Sequence, residues 1–159
     1  MSEDARFEDG GERPLRLRAL DVDDLAVISA LVQDAVFPAT AMTWRPGQRR
    51  FGLLLNRFRW EDVEAATKRG RPVERVQSLL VVDHVLAVAS NGVDRKDHDL
   101  VLSLLSLDWH AGEEPAGELH LVLAGDGVIR LRLEALEVTL KDVTRPYIAP
   151  SRKVPEHKV

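Results

Sequence analysis

The chain has 159 residues, of which 45% are hydrophobic and 30% are charged, and its formal net charge is −4 at pH 7. This length is typical of one domain whose core is large enough to fold without metal or disulfide support. The chain has no cysteine, which excludes disulfides, thiolate nucleophiles, zinc–thiolate sites and iron–sulfur clusters.

The ends of the chain predict flexible tails at residues 1–14 and 148–159, on either side of a single domain at residues 15–147. The N-terminus is acidic and lacks the basic and then apolar order of a secretory signal. Asp83 and His84 interrupt the apolar residues 79–89, so no run reaches the roughly 20 residues of a transmembrane helix. We therefore expect a cytoplasmic protein.

A strand and an amphipathic helix are the first predicted elements. Leu15, Leu17 and Ala19 alternate with arginines, which is the period of a half-buried strand. Asp21 occupies an N-cap position. Five apolar residues that follow it have helical spacing: Leu25, Ile28, Leu31, Val32 and Ala35.

From Val36 onwards the pattern changes to about seven strand-like runs that are separated by turn residues. A short helix at residues 61–68 interrupts them, because its good helix formers are followed by Gly70 and Pro72. The predicted strands are residues 36–44, 50–59, 75–82, 85–90, 100–109, 118–124 and 128–134.

The turn around Gly125, Asp126 and Gly127 can be placed by register. The apolar residues on its two sides share a face only if the loop has an odd number of residues. We therefore predict a three-residue loop that pairs Leu123 with Ile129. Three polar residues then share the opposite face: His120, Arg130 and Arg132.

Two other segments fit more than one arrangement. A two-residue loop at Asp83 and His84 would pair Val82 with Val85 in a hairpin, although both faces are apolar there. The apolar residues after Leu133 fit the spacing of a helix and also that of a strand. We favour a helix that ends near Thr144.

These elements together predict an α+β domain. It consists of an N-terminal strand and helix, about seven mostly antiparallel strands in two packed sheets, and a closing C-terminal helix. The strand count and the closing helix are similar to a pleckstrin-homology-like barrel. That analogy concerns the fold and carries no function.

Basic and aromatic residues gather in one part of this acidic chain. Residues 44–75 contain nine lysines or arginines and four aspartates or glutamates. Such asymmetry indicates an anionic partner for one face. Within a strand, Arg57 and Arg59 share a face about 7 Å apart, a spacing that suits a phosphate or carboxylate.

Two tryptophans near these arginines offer stacking surfaces of the kind that bind single-stranded nucleic acid. The candidate ligand-binding residues are therefore Trp44, Arg49, Arg57, Arg59 and Trp60. The alternative is that the arginines cover the rim of the core and pair with Glu61 or Glu64, as surface charges usually do.

Residues 92–99 hold three aspartates and His98, the best candidate for metal or acid–base chemistry. The spacing matches no calcium loop, and Arg95 and Lys96 oppose a cation, so a charged connection is favoured. The histidines have no metal-binding spacing, and no serine lies in a nucleophile elbow. We assign no catalytic residue, metal or cofactor, and a small enzyme would depend on the loop from Asp94 to His98.

The favoured function is a non-enzymatic cytoplasmic domain that binds a protein partner or a second copy of itself. It would use strand edges and an exposed apolar surface around Phe51, Phe58 and Trp60. The alternative is an anion or nucleic-acid binder that uses the basic, aromatic strand. We expect no membrane partner.

Four segments of the chain are similar to one bacterial family: residues 25–36 (LAVISALVQDAV), 49–61 (RRFGLLLNRFRWE), 75–93 and 136–147 (LEVTLKDVTRPY). They resemble a family found in alphaproteobacteria, domain of unknown function 2948, over almost the whole of residues 15–147. The resemblance implies a small stand-alone bacterial protein. It implies no activity and no site residue, because the family has none assigned.

Overall fold

The structure is a computed structural model that describes residues 13–94, 97 and 99–148. In this part of the chain there are two α-helices, α1 (Val22–Leu31) and α2 (Val63–Lys68). Three single-turn 3-10 helices occupy connections, at Ala39–Ala41, Pro46–Gln48 and Trp60–Asp62. The strands are β1 (Arg16–Ala19), β2 (Val36–Pro38), β3 (Met42–Arg45), β4 (Arg50–Phe58), β5 (Glu74–Val82), β6 (Val85–Asn91), β7 (Val101–Ala111), β8 (Gly117–Leu123), β9 (Val128–Leu133), β10 (Val138–Asp142) and β11 (Tyr147–Ile148).

Across the described residues, eleven strands form one antiparallel sheet. Its order is β1-β10-β5-β4-β2-β7-β8-β9-β6, with β3 paired to β4 and β11 paired to β5. The terminal strand β6 begins beside the turn before β4, where the Val85 N–H donates to the Arg49 carbonyl at 2.8 Å. The sheet therefore curls until its far end meets its middle.

One buried core collects side chains from strands at both ends of this order. Leu80 and Leu140 come from one half of the sheet, Leu121 and Leu131 come from the other, and all four are fully buried. Helix α1 packs against β1 and β7. The Asp21 carboxylate accepts from the Asp24 N–H at 2.9 Å, so the predicted N-cap is confirmed.

The predicted strands are present with small changes at their ends, and one of them is divided. Pro38 has no N–H for a sheet ladder, and the 3-10 helix Ala39–Ala41 after it separates β2 from β3. The predicted helix at residues 61–68 is also present, as the 3-10 turn Trp60–Asp62 followed by α2.

The hairpin between β8 and β9 has the predicted odd loop, shifted by one residue. Leu121 pairs with Ile129, and the Leu123 N–H donates to the Gly127 carbonyl at 2.9 Å. The loop is therefore residues 124–126 rather than 125–127. Because the register moved by an even number of residues, the predicted faces are kept, and His120 lies opposite Arg130.

The predicted α+β fold with two packed sheets and a closing C-terminal helix is wrong, and so is its likeness to a pleckstrin-homology-like barrel. The segment expected to form that helix is β10, which lies between β1 and β5 in one continuous sheet. Val138, Leu140 and Asp142 point into the interior and Lys141 is exposed. Pairing on both sides outweighs the helical spacing, because it satisfies the backbone and buries one complete face.

The predicted hairpin between Val82 and Val85 is also wrong. β5 pairs with β4 and β10, whereas β6 pairs with β9. His84 adopts a left-handed conformation with a φ of 62°, and the chain passes there from one half of the sheet to the other. Because both faces of these two strands are apolar, the sequence pattern did not fix a pairing register and could not exclude a local hairpin.

The two predicted tails, residues 1–14 and 148–159, lie outside the described residues except for Arg13, Pro14 and Ile148. Among the described residues, no helix is long and apolar enough to cross a lipid bilayer.

Replacing Leu140 tests the assignment of β10. Leu140 is 0% exposed and Val143 is 47% exposed, whereas a helix over this segment would place both on one face. Leu140→Ala should lower the free energy of unfolding by about 2–5 kcal/mol. Val143→Ala should change it by less than about 0.5 kcal/mol. Urea denaturation measures both, and equal losses would contradict the strand.

Candidate functional site

Arg57 lies at the end of β4, and its side chain is fully buried among protein acceptors. Its Nε donates to the Ser78 hydroxyl at 3.0 Å, and one terminal nitrogen donates to the Phe58 carbonyl at 3.1 Å. Asp142 accepts through both oxygens at 3.0 Å, and Glu61 accepts at 2.8 and 2.9 Å. Every guanidinium nitrogen therefore has an internal partner, and an outside anion would have to displace a carboxylate.

Arg59 extends this arrangement towards α2. It is 4% exposed, and it donates to Glu74 at 2.5 Å and to Asp62 at 3.3 Å. Arg71 also reaches Asp62, at 2.7 Å. Three arginines and four carboxylates thus form what we call the ion-pair cluster: Arg57, Arg59, Arg71, Glu61, Asp62, Glu74 and Asp142.

The ion-pair cluster shifts the pKa values of Arg57, Asp62 and Arg71 towards their charged forms. Burial alone would lower the pKa of Arg57, but the hydrogen bonds and charges of Glu61 and Asp142 raise it overall. A hydrogen bond from Arg71 holds the pKa of Asp62 below its ordinary value. The expected alternative that the arginines pair with Glu61 is confirmed, whereas Glu64 lies 3.6 Å from Lys68.

Trp60 lies next to the ion-pair cluster and is half-buried. Its indole N–H donates to the Gln33 carbonyl at 2.9 Å, and its ring centroid lies 5.4 Å from that of Phe58. The guanidinium of Arg75 lies 4.4 Å from the Phe58 centroid. Phe51 and Phe58 are each 2% exposed, so the predicted exposed apolar surface around them is wrong.

Arg49 and Trp44 lie apart from the two buried arginines. Arg49 is exposed at the turn before β4, where it has a left-handed φ of 52° and pairs with Glu134 at 2.5 Å. Trp44 lies on β3 and lines an apolar cleft. The structure therefore divides the predicted ligand-binding set among separate places, and anion binding by that set stays a prediction.

The cleft lies between β3 and β6 and has a volume of about 300 Å³. Met42 and Trp44 of β3 line one side, and Val88 and Ser90 of β6 line the other, with Ile129 of β9 beneath. Thr40 and Asp97 supply further polar groups. We call this space the β3–β6 cleft. The sequence did not predict this cleft, because β3 and β6 do not pair with each other and come close only because the sheet curls.

A second group of titratable residues lies on the outer face of β7, β8 and β9. His120 lies 2.9 Å from Glu118, and the His110 and His120 ring centroids are 4.0 Å apart. The hydrogen bond with His120 lowers the pKa of Glu118, and the charge of Arg130 also favours the carboxylate. In the described part of the chain, no group of three or more acidic or histidine residues is arranged to hold a metal ion.

The loop proposed for enzyme chemistry is described in part. Asp97 accepts from the Asp99 N–H at 3.0 Å, which is a local turn contact. His98, Arg95 and Lys96 lie outside the described residues. The general-base hypothesis for His98 therefore stays a prediction.

Comparison with known proteins places the chain in a family. A family model described as "Protein of unknown function (DUF2948)" matches residues 15–157. The chain belongs to this family. No match was found among curated proteins or among solved structures. Membership in DUF2948 confirms the resemblance of the four sequence segments and assigns no activity to any residue.

Replacing Arg57 tests how strongly this DUF2948 domain depends on the ion-pair cluster. Arg57→Met leaves Asp142 buried without its counter-charge, so the free energy of unfolding should fall by about 3–5 kcal/mol. The double variant Arg57→Met with Asp142→Leu should recover part of that loss, because no buried charge then remains unpaired.

Arg18 provides the matched control, because it pairs with Glu137 at 2.9 Å while its side chain is 61% exposed. Arg18→Met should cost less than about 1 kcal/mol. Similar losses for Arg18→Met and Arg57→Met in urea denaturation would contradict a dominant role for burial.

Acid unfolding tests the shifted pKa of Asp62. Because its folded pKa is lowered from the ordinary 3.8, the unfolded state binds more protons between the two values. The stabilisation by Asp62 is thus present above pH 3.8 and is lost as the pH falls through the folded pKa. Asp62→Asn should reduce the loss of unfolding free energy at acid pH, and Arg71→Gln should move that loss to higher pH. If neither variant changed the acid dependence of the unfolding free energy, the lowered pKa of Asp62 would be contradicted.

Proposed function

We propose that this DUF2948 protein is a cytoplasmic, non-enzymatic interaction domain that binds an extended segment of a partner protein in the β3–β6 cleft. The observation that carries the proposal is an apolar cleft bounded by two unpaired strand edges. Strand edges supply backbone hydrogen bonds to an added strand, and the cleft supplies pockets for its side chains.

The two edges are open along the cleft. Among the described residues, β3 pairs with β4 alone and β6 pairs with β9 alone. The second edge of each strand therefore keeps backbone N–H and carbonyl groups that no ladder uses, apart from the Val85 contact at one end. Unpaired ladder groups of this kind are a template for another strand.

The composition of the two terminal strands favours β6 as the binding edge. Natural edge strands are usually protected against association by charged residues or proline. β1, at the other end of the order, carries Arg16 and Arg18 among its four residues. β6 has seven residues, VLAVASN, with neither a charge nor a proline. The exposed edge of β6 is therefore chemically suited to pairing.

The shape of the β3–β6 cleft defines the chemistry of the partner segment. Side chains of an added strand alternate between two faces, so every second residue would enter the cleft. Trp44, Met42 and Val88 provide an apolar surface there, which favours aliphatic or aromatic side chains. β3 has four residues, so the segment needs about four to six residues, with apolar side chains at alternate positions.

Peptide selection tests this proposal. Random decapeptides displayed on phage are selected against the wild-type protein, and enriched sequences are synthesised for titration. We expect alternating apolar residues, because one face of the added strand enters the cleft. N-methylation of the backbone amides that meet the strand edge should abolish binding, whereas methylation of the alternate amides should be tolerated.

Val88 and Ala89 provide matched control positions, because Val88 lines the cleft and the neighbouring Ala89 is exposed on the opposite face. Val88→Arg should abolish peptide binding, and Ala89→Arg should leave it within about twofold. Thermal melts establish that both variants are folded. Peptides that bind both variants equally would contradict binding in the cleft. A dimer in light scattering that Val88→Arg abolishes and Ala89→Arg preserves would show that a second copy occupies it instead.

A further inference from the structure

A groove lies on the outer face of β3, β4 and β5, on the side of β3 opposite to the β3–β6 cleft. Its volume is about 290 Å³. Leu54, Leu79 and Val81 give it an apolar floor, and Arg45, Gln48 and Arg50 stand at one end. Leu54 is 37% exposed, so the floor is open to solvent.

Gly52 is the third residue of β4 and lies beneath this groove, and neither backbone geometry nor packing requires a glycine there. Its φ is not among the positive values of the described glycines. A Cβ added to it would meet no atom within 4 Å. Glycine weakens a strand interior, and it often marks a place where a ligand approaches the backbone. The space above Gly52 is the feature that a larger residue would remove.

The charges at the end of the groove are unbalanced. Arg45 and Arg50 lie directly opposite each other on β3 and β4, so their side chains share the outer face. Asp83 pairs with Arg50 at 2.8 Å. The Arg45 side chain is exposed and has no hydrogen bond or ion pair with the residues that the structure describes. Like charges directly opposite destabilise a sheet, and an anion at this position would relieve their repulsion.

We propose that the groove binds a small amphiphilic carboxylate, with its anionic head at Arg45 and Arg50 and its apolar body over Gly52. Arginine presents a planar fork that matches a carboxylate. The strand edges of the proposed peptide site are not involved, since this groove lies over the faces of strands that are paired with one another. The groove volume of about 290 Å³ leaves room for the chain of a medium-chain acid such as octanoate.

The test uses octanoate as the probe and backbone amide NMR as the readout. Octanoate should shift the resonances of Gly52, Leu54 and Val81 in a saturable manner. Acetate lacks the apolar body and octylammonium has the opposite charge, so neither should produce these shifts. Arg45→Gln should weaken octanoate binding by about tenfold, as expected for loss of a charge-assisted hydrogen bond.

Filling the groove with a larger side chain should change ligand binding and stability in opposite directions. Gly52→Val should abolish octanoate binding while it raises the melting temperature, because valine suits a strand and its side chain enters open space. Two controls lie on exposed positions of β6 and β9: Ala89→Val and Arg132→Gln should leave octanoate binding unchanged.

Four results would overturn the proposal. The absence of saturable shifts with octanoate would show that the groove is only a surface hollow. Equal shifts with octylammonium would remove the role of the arginines. If octanoate bound Gly52→Val as tightly as the wild type, the groove could not be its binding site. Shifts confined to Met42, Trp44 and Val88 would place the acid in the β3–β6 cleft instead.

Discussion

The buried ion pair between Arg57 and Asp142 is the interaction on which the arrangement of half the sheet depends. It joins β4 to β10, and Ser78 of β5 lies between them, with its hydroxyl 2.6 Å from Asp142. Asp142 also accepts from the Leu15 N–H at 2.9 Å, just before β1. A buried arginine without a carboxylate is strongly unfavourable. Any register that separated β4 from β10 would therefore leave a buried charge unpaired. The ion pair thus fixes the position of β4, and β3 pairs with β4.

Local patterns predicted the strands well, because alternation within one segment is decided by which face is buried. They failed for β10, where residues 136–143 suit either period and the choice was made by β1 and β5 on its two sides. The same limit applies after His84. β6 pairs with β9, which is distant in the sequence, and not with β5. No residue of the short connection between β5 and β6 indicates this pairing.

The alternation of β4 placed Arg57 on the same face as Leu55, and the structure confirms that face. The sequence indicated Glu61 as one counter-charge but not Asp142, which lies 85 positions away within a segment expected to be helical. An arginine on an apolar face implies a buried acid, and Asp142, which follows Leu140 at strand spacing, was the available signal. The β3–β6 cleft had no comparable signal, since its walls are single edges from distant segments.

β3 is a four-residue strand bonded along one side only. Met42 and Trp44 face the cleft, while Thr43 and Arg45 face the groove. The strand therefore separates two cavities that are both largely apolar, and only the groove has arginines at its end. A substitution that displaces the backbone of this strand would therefore change the lining of both cavities at once.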